Sequence, residues 1–181
     1  SAVEKLEELV ERVARRIDEL VKKIKELLDD VERKSEKTVR DLERLSEETK
    51  RSIDDLRREG KTEELLERVR REAKKNREKV KRVEERSRDL VRRVREMLKK
   101  IKREVDELLR EAEESLKELK DRGVVSEEVL KRVRETLERL ERKIKKVLDE
   151  LKKRVEELRK KNEDVVRRNE EVVKKLVEDI R

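Results

Sequence analysis

Apolar residues recur at steps of three and four along almost the whole 181-residue chain, and the rhythm breaks only at its two glycines. The first run is Val3, Leu6, Val10, Val13, Ile17, Leu20, Ile24, Leu27, Val31, Ser35, Thr38, Leu42, Leu45, Thr49, Ser52 and Leu56. Such spacing returns a side chain to one face of an α-helix, whereas a strand needs alternation by two. A second run goes through Leu66, Val69, Ala73, Asn76, Val80, Val83, Ser87, Leu90, Val94, Met97, Ile101, Val105, Leu108, Ala112, Ser115 and Leu119. A third takes Leu130, Val133, Leu137, Leu140, Ile144, Val147, Leu151, Val155, Leu158, Asn162, Val165, Asn169, Val172 and Leu176. Charged residues make up 60% of the chain, a level seen in disordered segments and in long helices. The periodicity decides for helix. Pro is absent, Glu, Lys, Arg and Leu dominate, and the many valines sit at seam positions where packing offsets their poor helix propensity.

The two breaks share one chemistry. Arg57-Arg58-Glu59-Gly60-Lys61-Thr62-Glu63-Glu64 reads as a helix end with Gly60 in the left-handed position, followed by Thr62 as N-cap and two acids on the new helix dipole. Arg122-Gly123-Val124-Val125-Ser126-Glu127-Glu128 repeats it, with Ser126 as cap and Val125 placed to staple onto Leu130. The helices are predicted at about 2–59, 62–122 and 126–181, each roughly 80–90 Å long at 1.5 Å per residue. Short connections make neighbours antiparallel. The expected fold is all-α, an elongated up-down-up three-helix bundle, coiled-coil-like, with residues 1–181 as one domain. Leu27-Val31-Ser35, Met97-Ile101-Val105 and Val147-Leu151-Val155 are paired four-residue steps, stutters that locally unwind a left-handed supercoil. Flanking residues such as Val21, Leu28, Val91, Leu98, Leu109, Val166 and Val173 widen the stripe to suit three helices.

The turns also set the level of each residue. On the first two helices, residue numbers at one level should add to about 121, and on the last two to about 248. Ser35, Ser87 and Asn162 then share a layer, and Ser46 lies level with Asn76. Thr49 and Asn169 fall about one turn away, and Thr38 and Ser52 extend the two clusters. A lone Ser or Thr can satisfy itself on its own i−4 carbonyl, as Ser115 is expected to do. An asparagine amide cannot, since its two donors and its acceptor all need partners when buried. The coincidence of layers therefore predicts hydrogen-bond networks across helices, formed by Ser35, Thr38, Ser46, Thr49, Ser52, Asn76, Ser87, Asn162 and Asn169. Wrong registers would leave them unsatisfied.

The alphabet excludes much else. Phe, Tyr, Trp, His, Cys, Pro and Gln are all missing, and no seam position holds an ionisable side chain. Acid–base or nucleophilic catalysis needs such groups in a pocket, so no enzyme, cofactor or metal site is expected. There is no glycine-rich phosphate loop and no aromatic platform for single strands. No apolar run is long enough for a membrane span or a signal peptide. The formal net charge of +8 is concentrated between Arg68 and Arg103, where 18 basic residues face 6 acidic ones. A solvated surface of mixed sign is the plain reading of that tract. Weak polyanion binding at low salt is compatible with it, and sequence-specific nucleic-acid recognition is not expected.

Capped glycine turns, a Lys/Arg/Glu surface, an aliphatic core and layered Ser, Thr and Asn together resemble de novo designed helical bundles with buried hydrogen-bond networks. The resemblance covers the whole chain. It implies a structural scaffold without natural biochemical activity. The alternative is a component of a designed helical oligomer or switch, binding another copy or a separate helix. Ser1-Ala2, with no leading Met, fits a cleaved expression tag. No targeting signal is read, and soluble recombinant cytoplasmic expression is the expected setting.

Overall fold

The chain stops its helices where backbone and side-chain chemistry both demand it. In the computed structural model, which describes residues 1–60 and 62–179, the helices are α1 (Ala2–Arg58), α2 (Glu63–Arg122) and α3 (Glu127–Glu178). The last two residues assigned to the third helix from sequence lie outside the described residues. Gly60 has φ +115° and Gly123 φ +68°, both in the region that side-chain-bearing residues avoid. Thr62 Oγ1 accepts from the Leu65 backbone N–H at 3.3 Å, and Ser126 Oγ accepts from that of Val129 at 3.3 Å, so both hydroxyls cap as expected. Ser1 Oγ does the same for the Glu4 backbone N–H at 3.3 Å and so caps the first helix. Val125 and Leu130 are both buried, and Val124 is the turn valine that faces water.

The three helices pack on one another as a bundle whose contacts group into two compact units, each drawing on all three helices. One unit joins Ser1–Asp29 to Arg93–Arg154. Its interior is aliphatic: Leu6, Ile17, Leu20 and Ile24 from α1, Ile101, Val105 and Leu109 from α2, Leu130, Ile144 and Leu151 from α3. Burying each such side chain is worth about 1.5–3 kcal/mol. Its cross-helix polar ties lie on the surface, where Arg16 pairs with Glu104 and Lys143 Nζ donates to Asp18 at 2.7 Å.

The other unit joins Asp30–Arg92 to Val155–Arg181. Apolar and polar layers alternate along it. Ile53, Leu56, Leu65, Val69 and Leu176 form an apolar cluster next to the Gly60 turn. Beyond it come Thr49, Asn76 and Asn169, then an apolar cluster of Leu42, Val80, Val83 and Val166, then Ser35, Ser87 and Asn162. All six buried polar residues among those described belong to this unit.

Several seam positions move by one residue from the predicted run. Leu65 is buried and Leu66 only partly so; Leu109 and Leu116 replace Leu108, Ser115 and Leu119; Val166 and Val173 replace Val165 and Val172. Ile53 is fully buried and Ser52 half-buried. Each change moves a four-residue step earlier or adds one, so that Leu45-Thr49-Ile53, Leu65-Val69-Ala73, Ile101-Val105-Leu109 and Leu158-Asn162-Val166 become further paired four-residue steps. A helix of 3.6 residues per turn drifts about 20° per heptad from a 3.5 repeat, so one stutter per helix does not hold the seam inward.

Candidate functional site: two buried polar layers

The layer nearer the Gly60 turn is built around a pair of amides. Asn169 on α3 donates through Nδ2 to Asn76 Oδ1 at 2.9 Å, and Asn76 on α2 returns a longer bond to Asn169 Oδ1 at 3.3 Å. The Asn76 amide also donates to Thr49 Oγ1 on α1 at 2.8 Å and to the Leu45 carbonyl at 3.3 Å. Two hydrogens thus serve three acceptors, and the Thr49 bond is the shortest. The relative exposure of Asn76 is 2% and of Asn169 3%, so neither amide has water as a substitute partner.

The second layer is a chain of three. Ser35 on α1 donates through Oγ to Asn162 Oδ1 at 3.1 Å. Asn162 on α3 donates through Nδ2 to Ser87 Oγ on α2 at 2.9 Å. Every helix contributes one member, as in the first layer. No buried side-chain nitrogen or oxygen among the described residues lacks a hydrogen-bond partner.

The structure thus brings together Ser35, Ser87 and Asn162 in one layer and Thr49, Asn76 and Asn169 in the other. It does not bring in the remaining three. Thr38 is half-buried and donates to its own Lys34 carbonyl at 3.0 Å, the local alternative to a network. Ser46 and Ser52 are half-buried, and among the described residues neither layer's hydrogen bonds reach them. Ser46 has the right level, but its neighbours Leu45 and Thr49 hold the azimuth that faces Asn76. The Leu45 carbonyl is the partner that sequence could not offer, because a backbone acceptor leaves no mark in residue type.

Among the described residues, the buried polar side chains are Ser, Thr and Asn alone. Hydroxyls and amides do not titrate near neutral pH, so these layers fix geometry rather than move protons. Ionisation is perturbed at the surface. Lys34, followed by Arg33, holds the Asp30 carboxyl below the usual carboxylate range. Glu104, then Glu19, raises the Arg16 guanidinium, and Glu156 with Glu163 raises that of Arg159.

No family model matches the sequence, and no curated protein is similar to it. Among solved structures the chain is similar to one described as a "Computationally designed three helix bundle", at 22% identity and a TM-score of 0.47, over 99% of this chain and 85% of that one. The chain is a three-helix bundle with buried Ser, Thr and Asn layers. No helix among the described residues is long and apolar enough to cross a membrane.

Proposed function

We propose that this chain is a designed structural scaffold whose two polar layers specify the register of its helices. The observation that carries the reading is that each layer draws a side chain from all three helices. Sliding one helix by a heptad would set these amides against aliphatic side chains. A buried polar group left without a partner costs about 1–3 kcal/mol, so several at once disfavour the slipped state strongly. Aliphatic layers, by contrast, accept one another in many registers. The small alphabet and the same glycine-hydroxyl-acid device at both turns fit deliberate construction.

A self-contained bundle is favoured over an assembly component by the fate of the widened stripe. Val21 and Leu109 are buried by the chain's own helices, while Ala14, Leu28, Val91 and Leu98 are half-buried. Sedimentation over a roughly hundredfold concentration range should give a constant mass near 22.1 kDa. Replacing Ser35, Thr49, Asn76, Ser87, Asn162 and Asn169 by aliphatic residues should keep the helices but spread the protein over several registers or masses. Spin-label distances between helices would register that spread. A six-site variant with the parent's single mass and single set of distances would refute the specifying role. A mass that rises with concentration, with the rise abolished by Val91→Glu or Leu98→Glu at half-buried positions while circular dichroism stays helical, would favour the assembly component instead.

A further inference from the structure

We propose that Arg70, Lys74, Arg77, Lys81, Arg88 and Arg92 on α2 form a stripe that binds the backbone of double-stranded nucleic acid without reading its sequence. At 100° per residue these six positions fall within an arc of about 60°, and from first to last they span about 33 Å of helix. All six are exposed and belong to one compact unit. Arg88 is held by Glu84 and Arg92 by Asp89. Among the described residues the other four have no carboxylate within ion-pair distance, whereas Arg68 and Arg71, outside the stripe, are paired with Glu59 and Glu67. Between Lys81 and Arg88 the line is interrupted by Glu84 and Glu85, and Glu170 of α3 lines the same surface hollow as Arg77, Lys81 and Arg88.

Exposed cations in a regular line, four of the six without an ion-pair partner among the described residues, suit a partner with regular negative charge. A duplex carries one charge per about 1.7 Å of axis, and each phosphate neutralised releases condensed counterions. The stripe's length is close to one duplex turn of about 34–36 Å. Other partners lack their usual anchors here. Single strands need aromatic stacking surfaces, and the chain has no aromatic residue. Insertion into a lipid interface needs an apolar face beside the cations, and the large hydrophobics exposed among the described residues are Val124 and Val172, neither of them on α2. An acidic protein would need apolar or aromatic anchor pockets at the centre of the contact.

Anisotropy with a labelled duplex of about 20 base pairs tests the proposal, because six phosphate contacts should lose on the order of 10³-fold in affinity between about 50 and 200 mM salt. The fourfold variant R70Q/K74Q/R77Q/K81Q should bind at least tenfold more weakly at the lower salt. Its affinity should then fall only about tenfold over the same salt range, because about four contacts are gone. A variant of equal charge change on α3, K131Q/R134Q/R142Q/K145Q, should stay within about threefold of the parent, and circular dichroism should show both variants folded. Equal losses in the two variants would mean that net charge alone drives binding, and would overturn the stripe. So would sequence-dependent affinity, or a heparin fragment bound while duplex is not.

Discussion

Replacing Asn169 by Leu removes the one donor that, among the described residues, reaches Asn76 Oδ1. Asn76 keeps its donors occupied, by Thr49 Oγ1 at 2.8 Å and the Leu45 carbonyl at 3.3 Å, so one orphaned acceptor is the main defect. An unsatisfied buried acceptor costs about 1–3 kcal/mol, and the apolar surface that Leu buries returns part of it. The net loss for Asn169→Leu should be about 1–2 kcal/mol. The double variant Asn76→Leu/Asn169→Leu removes both halves of the pair. Thr49 then loses its donor, but its hydroxyl can turn to the carbonyl of Leu45, which is its own i−4 acceptor. No orphan remains, and the double variant should match or exceed the parent, as when a buried polar pair is replaced by apolar residues of similar shape. The coupling energy should therefore exceed about 0.5 kcal/mol and reach about 2. Without aromatic residues the chain gives no intrinsic fluorescence, so the assay is guanidinium unfolding followed by far-ultraviolet circular dichroism. Midpoints convert to free energies only where the denaturant slope is unchanged. Additive effects of the two substitutions, or a single variant as stable as the parent, would refute the reasoning.

The other layer should respond more mildly, because Ser35 and Ser87 can both fall back on i−4 carbonyls: Asn162→Leu should change stability by less than about 1 kcal/mol, checked by the same unfolding assay. Gly60→Asn and Gly123→Asn should differ, since φ +68° lies near the left-handed well that Asn tolerates and φ +115° does not. The loss at Gly60 should exceed that at Gly123 by about 1 kcal/mol in thermal melts, because neither site offers a steric clash to confuse the comparison. Asp30 has its carboxyl lowered in the folded state, so its contribution is present above the unfolded value and is lost as pH falls through the folded one. The group is about a third exposed, so Asp30→Asn should cost under about 0.5 kcal/mol at neutral pH and nothing in strong acid, measured by unfolding at both.

Sequence carried the helix count, both turns and their capping residues because each depends on neighbours within a few positions. It was weakest wherever two apolar residues stand side by side. Leu65-Leu66, Leu108-Leu109, Val165-Val166 and Val172-Val173 offer the seam a choice that hydrophobicity cannot make. The accumulated twist of a long helix makes it. The polar layers were legible in level, which turn geometry fixes, and less so in azimuth. Ser87 and Asn162 needed only the level. Ser46 met the level and missed the angle, and Thr38 met an adjacent carbonyl before any neighbouring helix.

The placement of cross-helix polar bonds has a consequence for how the protein answers to its solvent. Around Arg16, Glu104, Asp18 and Lys143 the ties between helices are exposed charges, which dissolved ions attenuate over about 10 Å at 0.1 M. Around Asn76, Asn169 and Asn162 they are uncharged and sealed from water. Ionic strength is thus a selective reagent for this molecule. It can silence the electrical links of one unit while leaving the amide links of the other intact.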